Sequence, residues 1–545
     1  MLEDLYVENL NLLKKHLPEI EKSLQEKMQS NFLEMEESIE KLSESVEVFC
    51  IYKIAFDEKL LNWLNEYQER KIIFLETDLA RIDYCLHKIN AKDFLSHKRI
   101  EFCLLEEGVV KKICWNNLFK EIDVITWSSY QLDPVFLKLK EETDYMQRGI
   151  EATFAWYSDL AINDLSNFYA NLQKKEKKYS FSSLKDKAKN VPAIICGAGP
   201  SLALAEKKLR DLNDKALIFA GGTAMNVLSQ KDIVYHFGAS IEKDNLRLRL
   251  KQLNDFEKPF FYRPVISPEN LKVVDGPLLY VSDHETLPIQ RWIEDKLKIK
   301  SVDIDGGWTV TTFLISLASF MGCSPIILVG VDLCFAKEKY AYDLFTENDP
   351  KKYKLSEVEN LCGEKVTTQR DFLIAASWIE EFAQKTDQTT LINCSKGLDF
   401  KSVENKDFDQ IDMFFSKQMD LFNFSHSLTT LSDEIKTSSE DIKKVLEDII
   451  LELKDAEQLI AQLLIGWENE QTFQENLFEK LLKEKAIYRF LLHPIWIVWQ
   501  PLLKQKAAKE GLFSSLEIEK INKIVFMQKI IFSHLDIARK AYEKI

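Results

Sequence analysis

The sequence predicts an α/β protein built on a central doubly wound, mostly parallel sheet, with a smaller N-terminal α/β domain and a C-terminal all-α helical domain on either side. Three observations carry this. Between residues 191 and 407, short apolar β-prone runs alternate with helical patterns: PAIICGAG, ALIFAGG, IVYHFGASI, PFFYRPVI, PLLYVSD, PIILVGVD and TTLINCS. Apolar runs without polar alternation are what strands buried on both faces of a parallel sheet look like. Upstream, apolar runs at 46–56, 71–77 and 99–107 suggest a smaller α/β unit, and downstream of Asp407 the strand signals stop.

Taken in order, residues 1–48 carry Leu2, Leu5, Leu10, Leu13, Leu17 and Ile20 at helical spacing. That helix and the small α/β unit make a domain over 1–135. A helical stretch follows, with a polar, lysine-rich exit (LQKKEKKYSFSSLKDKAKN), so 136–190 reads as a linker. The alternating region 191–407 implies βαβ crossovers and hence a Rossmann-like domain. Residues 408–545 read as amphipathic helices, with Ile435, Ile442, Val445, Ile449, Leu453, Ala456, Ile460 and Leu463 on one stripe and Ser438 with Asp441 as a start signal. Tyr488, Phe490, Trp496 and Trp499 cluster around HPIWIVWQPLL. Such a stripe reads first as core, with docking of a partner helix or membrane face as the alternative.

Composition narrows the classes. The formal charge is −15, from 72 basic and 87 acidic residues, which argues against a nucleic-acid partner because phosphate backbones need a basic surface. Nine cysteines stand singly, with no CxxC or Cys/His spacing, so neither a zinc site nor a disulfide framework is expected. No apolar run approaches the roughly 18 residues of a membrane span, and no signal-peptide pattern opens the chain. The expectation is a cytoplasmic protein without an integral membrane segment.

Two motifs carry chemistry. In CGAGPSL, Gly197, Ala198, Gly199, Pro200, Ser201 and Leu202 join a strand to a helical run. The glycines let the backbone turn tightly and approach a ligand, and the helix start favours an anion; the bland reading is a tight turn. No Gly-Lys-Ser/Thr follows and no third glycine stands at 202, so neither a Walker A loop nor a dinucleotide fingerprint is present. In DGGWTVTTFLISLASFMG–IILVGVD, Gly306, Gly307 and Thr309 open a second helix, and the next strand delivers Asp332 to the carboxyl edge, where open α/β sheets bind ligands. N-capping is the competing role for the threonines. Glu242 and Asp244 follow IVYHFGASI as candidates for sugar or ribose hydroxyls, and Asn393 and Ser395 follow TTLIN as candidates for nucleotide contact. His236, inside a strand run, reads as a core histidine, whereas His284 is better placed to meet a ligand.

CGAGPSL, SIEKD, GGWTVTTFLISLASFMG–IILVGVDL and LINCSKG together resemble the motility-associated-factor family, bacterial glycosyltransferases that decorate flagellin with nonulosonic acids such as pseudaminic or legionaminic acid. The resemblance spans about residues 140–400. The same core is similar to bacterial sialyltransferases, whose GPSL-type loop holds a CMP-sugar, and to an archaeal hydroxymethylpterin pyrophosphokinase. It implies a CMP-activated donor, a flagellin or other protein acceptor, and neither a required cofactor nor a metal. By analogy with KYAYD, Tyr340 or Tyr342 assists departure of the CMP phosphate. The histidine base of the sialyltransferases has no counterpart, since no histidine lies between His284 and His426. Asp332, Glu347 or Asp349 are the carboxylates that can substitute. A noncatalytic nucleotide- or flagellin-binding protein and a pterin-type pyrophosphokinase are the alternatives.

Overall fold

A computed structural model describes residues 2–15, 39, 42–87, 91–118, 120–174, 176–243, 257–283, 287–335, 355–386, 389–415, 418–430, 432–468, 479–509 and 516–545. The chain divides into two compact units, Met1–Ala155 with Pro501–Gln505, and Trp156–Gln500 with Lys506–Ile545.

The first unit is a four-stranded parallel sheet of β1 (Val48–Tyr52), β2 (Lys71–Glu76), β3 (Ile100–Leu104) and β4 (Ile122–Thr126), in the order β3-β2-β1-β4. Strand β4 was not among the expected runs: its burial alternates, so IDVIT lacks the continuous apolar signature of β1 and β2. The helices Glu58–Glu66 and Leu79–Leu86 start where Asp57 and Asp78 accept from the N–H groups of Lys59 and Ala80, each at 2.9 Å. Such caps satisfy a donor that the first helical turn leaves open. Of the helix expected over 1–48, Leu2–Leu13 is helical, whereas Ile39 forms an antiparallel bridge with Trp127, residues 42–47 are irregular and Val48 already opens β1.

The second unit holds a nine-stranded sheet. Its strands are β5 (Lys178–Ser180), β6 (Ala193–Cys196), β7 (Leu217–Gly221), β8 (Phe237–Ser240), β9 (Phe260–Tyr262), β10 (Leu278–Tyr280), β11 (Ile326–Val329), β14 (Leu391–Asn393) and β15 (Glu404–Asn405). Between them in sequence, β12 (Leu355–Glu359) and β13 (Lys365–Gln369) form an antiparallel hairpin. The large sheet runs β15-β14-β11-β6-β7-β8-β9-β10-β5, and every pairing is parallel. From β6 the chain winds one way through β10, then β11 returns to the other side of β6. The switch point between β6 and β11 is where ligands bind in doubly wound sheets.

The lysine-rich segment that reads as a linker carries β5, which pairs with β10. Its charge misleads because Lys178 is buried, its ammonium donating to the carbonyls of Asn171 (2.7 Å) and Leu172 (2.9 Å) at a helix end. Burial pushes that amine down to about 8. His236 is a core histidine: Ile218 N–H donates to its Nδ1 at 2.9 Å.

The C-terminal helices include Ser439–Glu468 and Leu516–Glu543. Ser438 and Asp441 cap the first reciprocally, Asp441 N–H donating to Ser438 Oγ at 3.0 Å and Ser438 N–H to the Asp441 carboxylate at 3.3 Å. The stripe from Ile442 to Leu463 is buried, as are Met527, Ile530, Ile531 and Leu535 on the other helix. Each fully buried aliphatic side chain contributes about 1.5–3 kcal/mol. Tyr488 and Trp496 lie in this core, and the Trp499 indole donates to the carbonyl of Tyr157 at 3.2 Å. The His534 Nε2–H likewise donates to the carbonyl of Leu160 at 2.9 Å. The C-terminal helices thereby brace residues 157–160, which lead into the helix Ile162–Leu172. No described helix is long and apolar enough to cross a membrane.

Candidate functional site

The switch point is built by glycines. Gly197 N–H donates to the carbonyl of Val329, and Gly199 N–H to that of Gly330, both at 2.8 Å. A Cβ on Gly197 would lie 2.3 Å from the Gly330 oxygen, one on Gly199 2.5 Å from the Asp332 carboxylate, and one on Gly397 1.9 Å from the Asp332 carbonyl. The loops after β6, β11 and β14 therefore pack backbone to backbone, which no side chain permits. Pro200 then opens the 3₁₀ turn Pro200–Ala205, with Leu202 wholly buried beneath it.

Asp332 occupies the start of that turn. Its buried carboxylate accepts from Ser201 N–H at 2.8 Å, from the Ser201 hydroxyl, and from Lys396 N–H at 3.4 Å. The position at which an anion was expected is thus held by an internal carboxylate. Gly197, Gly199, Ser201 and Leu202 all spend their N–H groups inside the protein, whereas half-buried Ala198 has no N–H partner among the described residues. Asn393 and Ser395 also turn inward: Ser395 Oγ accepts from Val331 N–H at 2.8 Å, and Asn393 Oδ1 from Ser395 N–H at 3.0 Å. They tie β14 to the loop that carries Asp332.

The second glycine motif lies farther along the same edge. Asp305 accepts from Gly307 N–H at 2.9 Å and from the Trp378 indole at 2.8 Å, with Gly307 at φ +57°. Thr309 caps the helix Val310–Phe320 in a reciprocal box with Thr312. Val310 and Thr311, at the first turn, have no intrahelical acceptor for their N–H groups. Val310 fills a notch at the end of β7, where a Cβ on Gly221 would lie 2.3 Å from it. The helix start therefore stands over the carboxyl ends of the strands beside β6.

Four charged residues, three of them in the loops after β8, β9 and β10 and one in the helix Ile162–Leu172, were not anticipated. Arg263, just past β9, forms a buried ion pair with Asp283, just past β10, and its guanidinium lies where a Cβ on Gly306 would stand. Lys243, past β8, has its ammonium 2.7 Å from each carboxylate oxygen of Asp164 and 3.3 Å from the centre of the Trp156 ring. Burial pushes the Asp164 carboxyl up to about 6 although Lys243 opposes it, and burial holds the Lys243 amine below its ordinary value although Asp164 opposes that. Asn167, on the same helix as Asp164, donates to the carbonyls of Lys243 (3.2 Å) and Val265 (3.0 Å), joining the loops after β8 and β9. A usable signal was a charged residue closing a buried apolar run, as in PFFYR and PLLYVSD. Asp164 gave none, because it lies in a helix outside the alternating region.

Glu242 is exposed, and its carbonyl accepts from Ser267 N–H at 3.1 Å. Asp244, His284, Tyr340, Tyr342, Glu347 and Asp349 lie outside the described residues. Among the described residues no group of three His, Cys, Asp or Glu side chains is placed to hold a metal.

Residues 166–338 match the MptE-like family model, 6-hydroxymethylpterin diphosphokinase MptE-like. No curated protein sequence matches the chain. Among solved structures, that of the MAf glycosyltransferase from Magnetospirillum magneticum AMB-1 superposes with a TM-score of 0.52 at 14% identity, covering 98% of this chain and 86% of that one. At that identity the likeness is one of fold. Residues 166–338 thus carry the MptE-like family match, in a chain that shares its fold with a MAf glycosyltransferase.

Proposed function

We propose that the chain is a glycosyltransferase that moves a nonulosonic acid from a CMP-activated donor to a Ser or Thr hydroxyl of flagellin or another protein in the cytoplasm. The observation that carries this reading is the fold shared with a MAf glycosyltransferase across 98% of the chain, in both units. The edge of the large sheet supports it with two tight glycine turns, Gly197–Gly199 against the Gly330 backbone and Gly306–Gly307 against the side chains of Arg263 and Thr312. In this reading Ala198 and the first-turn N–H groups of Val310 and Thr311 meet the phosphate and the sugar carboxylate. Asp332 holds the loop in shape, Glu242 and Asp244 reach hydroxyls, and Tyr340 or Tyr342 donates to the departing phosphate. The reaction as proposed requires neither metal nor cofactor.

Thermal unfolding with CMP, UDP, ATP and GTP in parallel tests the reading. A ligand at 100 times its Kd adds about 2.7 kcal/mol of stability, so CMP alone should raise Tm by several degrees. The MptE-like match over 166–338 favours a second reading, a pyrophosphokinase. Stabilisation by ATP with magnesium, and none by CMP, would replace the first reading with the second. Mass spectrometry of co-expressed flagellin then tests transfer.

A further inference from the structure

The donor of the proposed transfer is acidic, and the second glycine turn holds a cation with an unused edge. Lys243, after β8, gives its ammonium to both oxygens of Asp164, at 2.7 Å each, and Lys396, after β14, gives its own to Asp407. Arg263, after β9, differs. It is buried, and its one side-chain hydrogen bond among the described residues runs from Nη1 to the Asp283 carboxylate. Nε is buried without an acceptor, and Nη2 lies against Gly306. A guanidinium is a rigid planar fork whose Nε–H and Nη2–H point the same way, at a spacing that matches the two oxygens of an acid group. Asp283 holds the fork by the remaining nitrogen, so that edge stays open. A charged donor kept from water without a partner is costly, and native proteins seldom leave one.

The open edge stands at the start of the helix Val310–Phe320. The Arg263 guanidinium carbon is 5.3 Å from the centre of the Phe313 ring, at the end of the first turn. In that turn Val310 and Thr311 have no intrahelical acceptor for their N–H groups, so the guanidinium edge and the helix start present donors to one place. Gly306 makes the approach possible: a Cβ there would strike both Nη2 and the Phe313 ring.

We infer that Arg263 reads the acid group of the donor sugar, its Nε–H and Nη2–H donating to the two carboxylate oxygens beside the helix start. This inference rests on the CMP-sugar reading, and within it Arg263 determines specificity. In a 2-ulosonic acid the carboxylate is bonded to the anomeric carbon, so holding its plane also fixes the carbon at which transfer occurs. Asp283 and Phe313 already orient the guanidinium, so little side-chain freedom is lost when the donor binds. A neutral hexose has no pair of anionic oxygens and leaves Nε unpaired, which disfavours it.

The test compares the Kd of a CMP-nonulosonate with that of its methyl ester, and measures CMP-induced stabilisation alongside. Wild type should bind the acid roughly 100-fold more tightly than the ester. R263K keeps a cation for Asp283 but loses the planar fork, and its preference for the acid should fall below about 10-fold with the CMP shift retained. R263Q/D283N, which removes both buried charges together, should behave alike if R263K does not fold. A merely structural ion pair would leave the acid-to-ester ratio unchanged. A wild type that binds CMP but treats acid and ester alike, or variants that keep the full preference, overturn the inference alone. So does an Arg263-dependent gain of CDP over CMP, which would assign the edge to a second phosphate. A wild type that does not bind CMP overturns the functional reading, and the inference with it.

Discussion

The two parallel sheets of this chain solve the same problem at their carboxyl edges in opposite ways. In the small sheet one carboxylate does the work: Glu76, at the end of β2, accepts from the N–H groups of Ile54 (2.9 Å), Thr77 (2.8 Å) and Asp78 (2.9 Å) and pairs with Lys53 at 3.0 Å. The Trp127 indole donates to the carbonyl of Lys53 at 2.8 Å, and Thr126 Oγ to that of Tyr52 at 2.8 Å. Side chains fill this edge. In the large sheet the corresponding loops meet through Gly197, Gly199, Gly330 and Gly397, and the absence of Cβ atoms keeps backbone close to backbone. The two edges therefore close differently, one on side chains gathered around a carboxylate and the other on loop backbones that glycine lets meet.

The sharpest break of this contrast is Gly397→Ala. Its Cβ would lie 1.9 Å from the Asp332 carbonyl, so the loop after β11 must move. We expect more than about 3 kcal/mol of destabilisation and loss of any CMP-induced Tm shift. Gly108→Ala, in the small unit, is the control: Gly108 is left-handed at φ +79° but has nothing within 4 Å of a built Cβ. Its cost should be backbone strain alone, about 1 kcal/mol. Equal losses in the two variants would remove the distinction between crowded and open glycines.

Next in size is Glu76→Gln, which strips the charge from the knot of the small sheet. Breaking a buried pair costs about 3–5 kcal/mol, visible in urea unfolding, while the CMP shift of the folded protein should be unchanged. A variant that folds yet no longer responds to CMP would show that the small sheet contributes to the ligand site.

The most gradual effect, spread over more than two pH units, concerns two histidines of the second unit. His236 and His534 are both pushed down to about 4 by burial, from an ordinary 6.5. Below pH 6.5 the unfolded chain binds protons that the native state does not. Stability is therefore complete above that value and falls as pH drops toward 4, by up to about 1.4 kcal/mol per pH unit for each histidine. His534→Gln keeps a donor for the Leu160 carbonyl and should remove about half of this slope between pH 6.5 and 5 in denaturant titrations. An unchanged slope would mean that His534 is not held neutral.

Much of the fold was legible, and the reason is physical. The apolar runs at 193–196, 217–221 and 326–329 are buried on both faces, so hydrophobicity alone marks them. Strands β5 and β4 escaped, the first because Lys178 opens it and is buried against helix carbonyls, the second because one side of it is only half buried. In the site, CGAGPSL and GGWT announced a close backbone approach, since glycine at a strand–helix junction is a local requirement. What fills the approach was not local. Asp332 reaches Ser201 across 131 residues, and Lys243 meets Asp164 across 79.

Sequence alone therefore settled the periodicity, the parallel sheets and the glycine loops, because each depends on residues within a few positions of one another. Only tertiary structure decided which donors remain for a ligand. It seated Asp332 where an anion was expected, turned Asn393 and Ser395 inward, and paired the buried Asp164 with Lys243. Those outcomes depend on which strand ends become neighbours when the chain reverses direction at β6, and no local pattern encodes that.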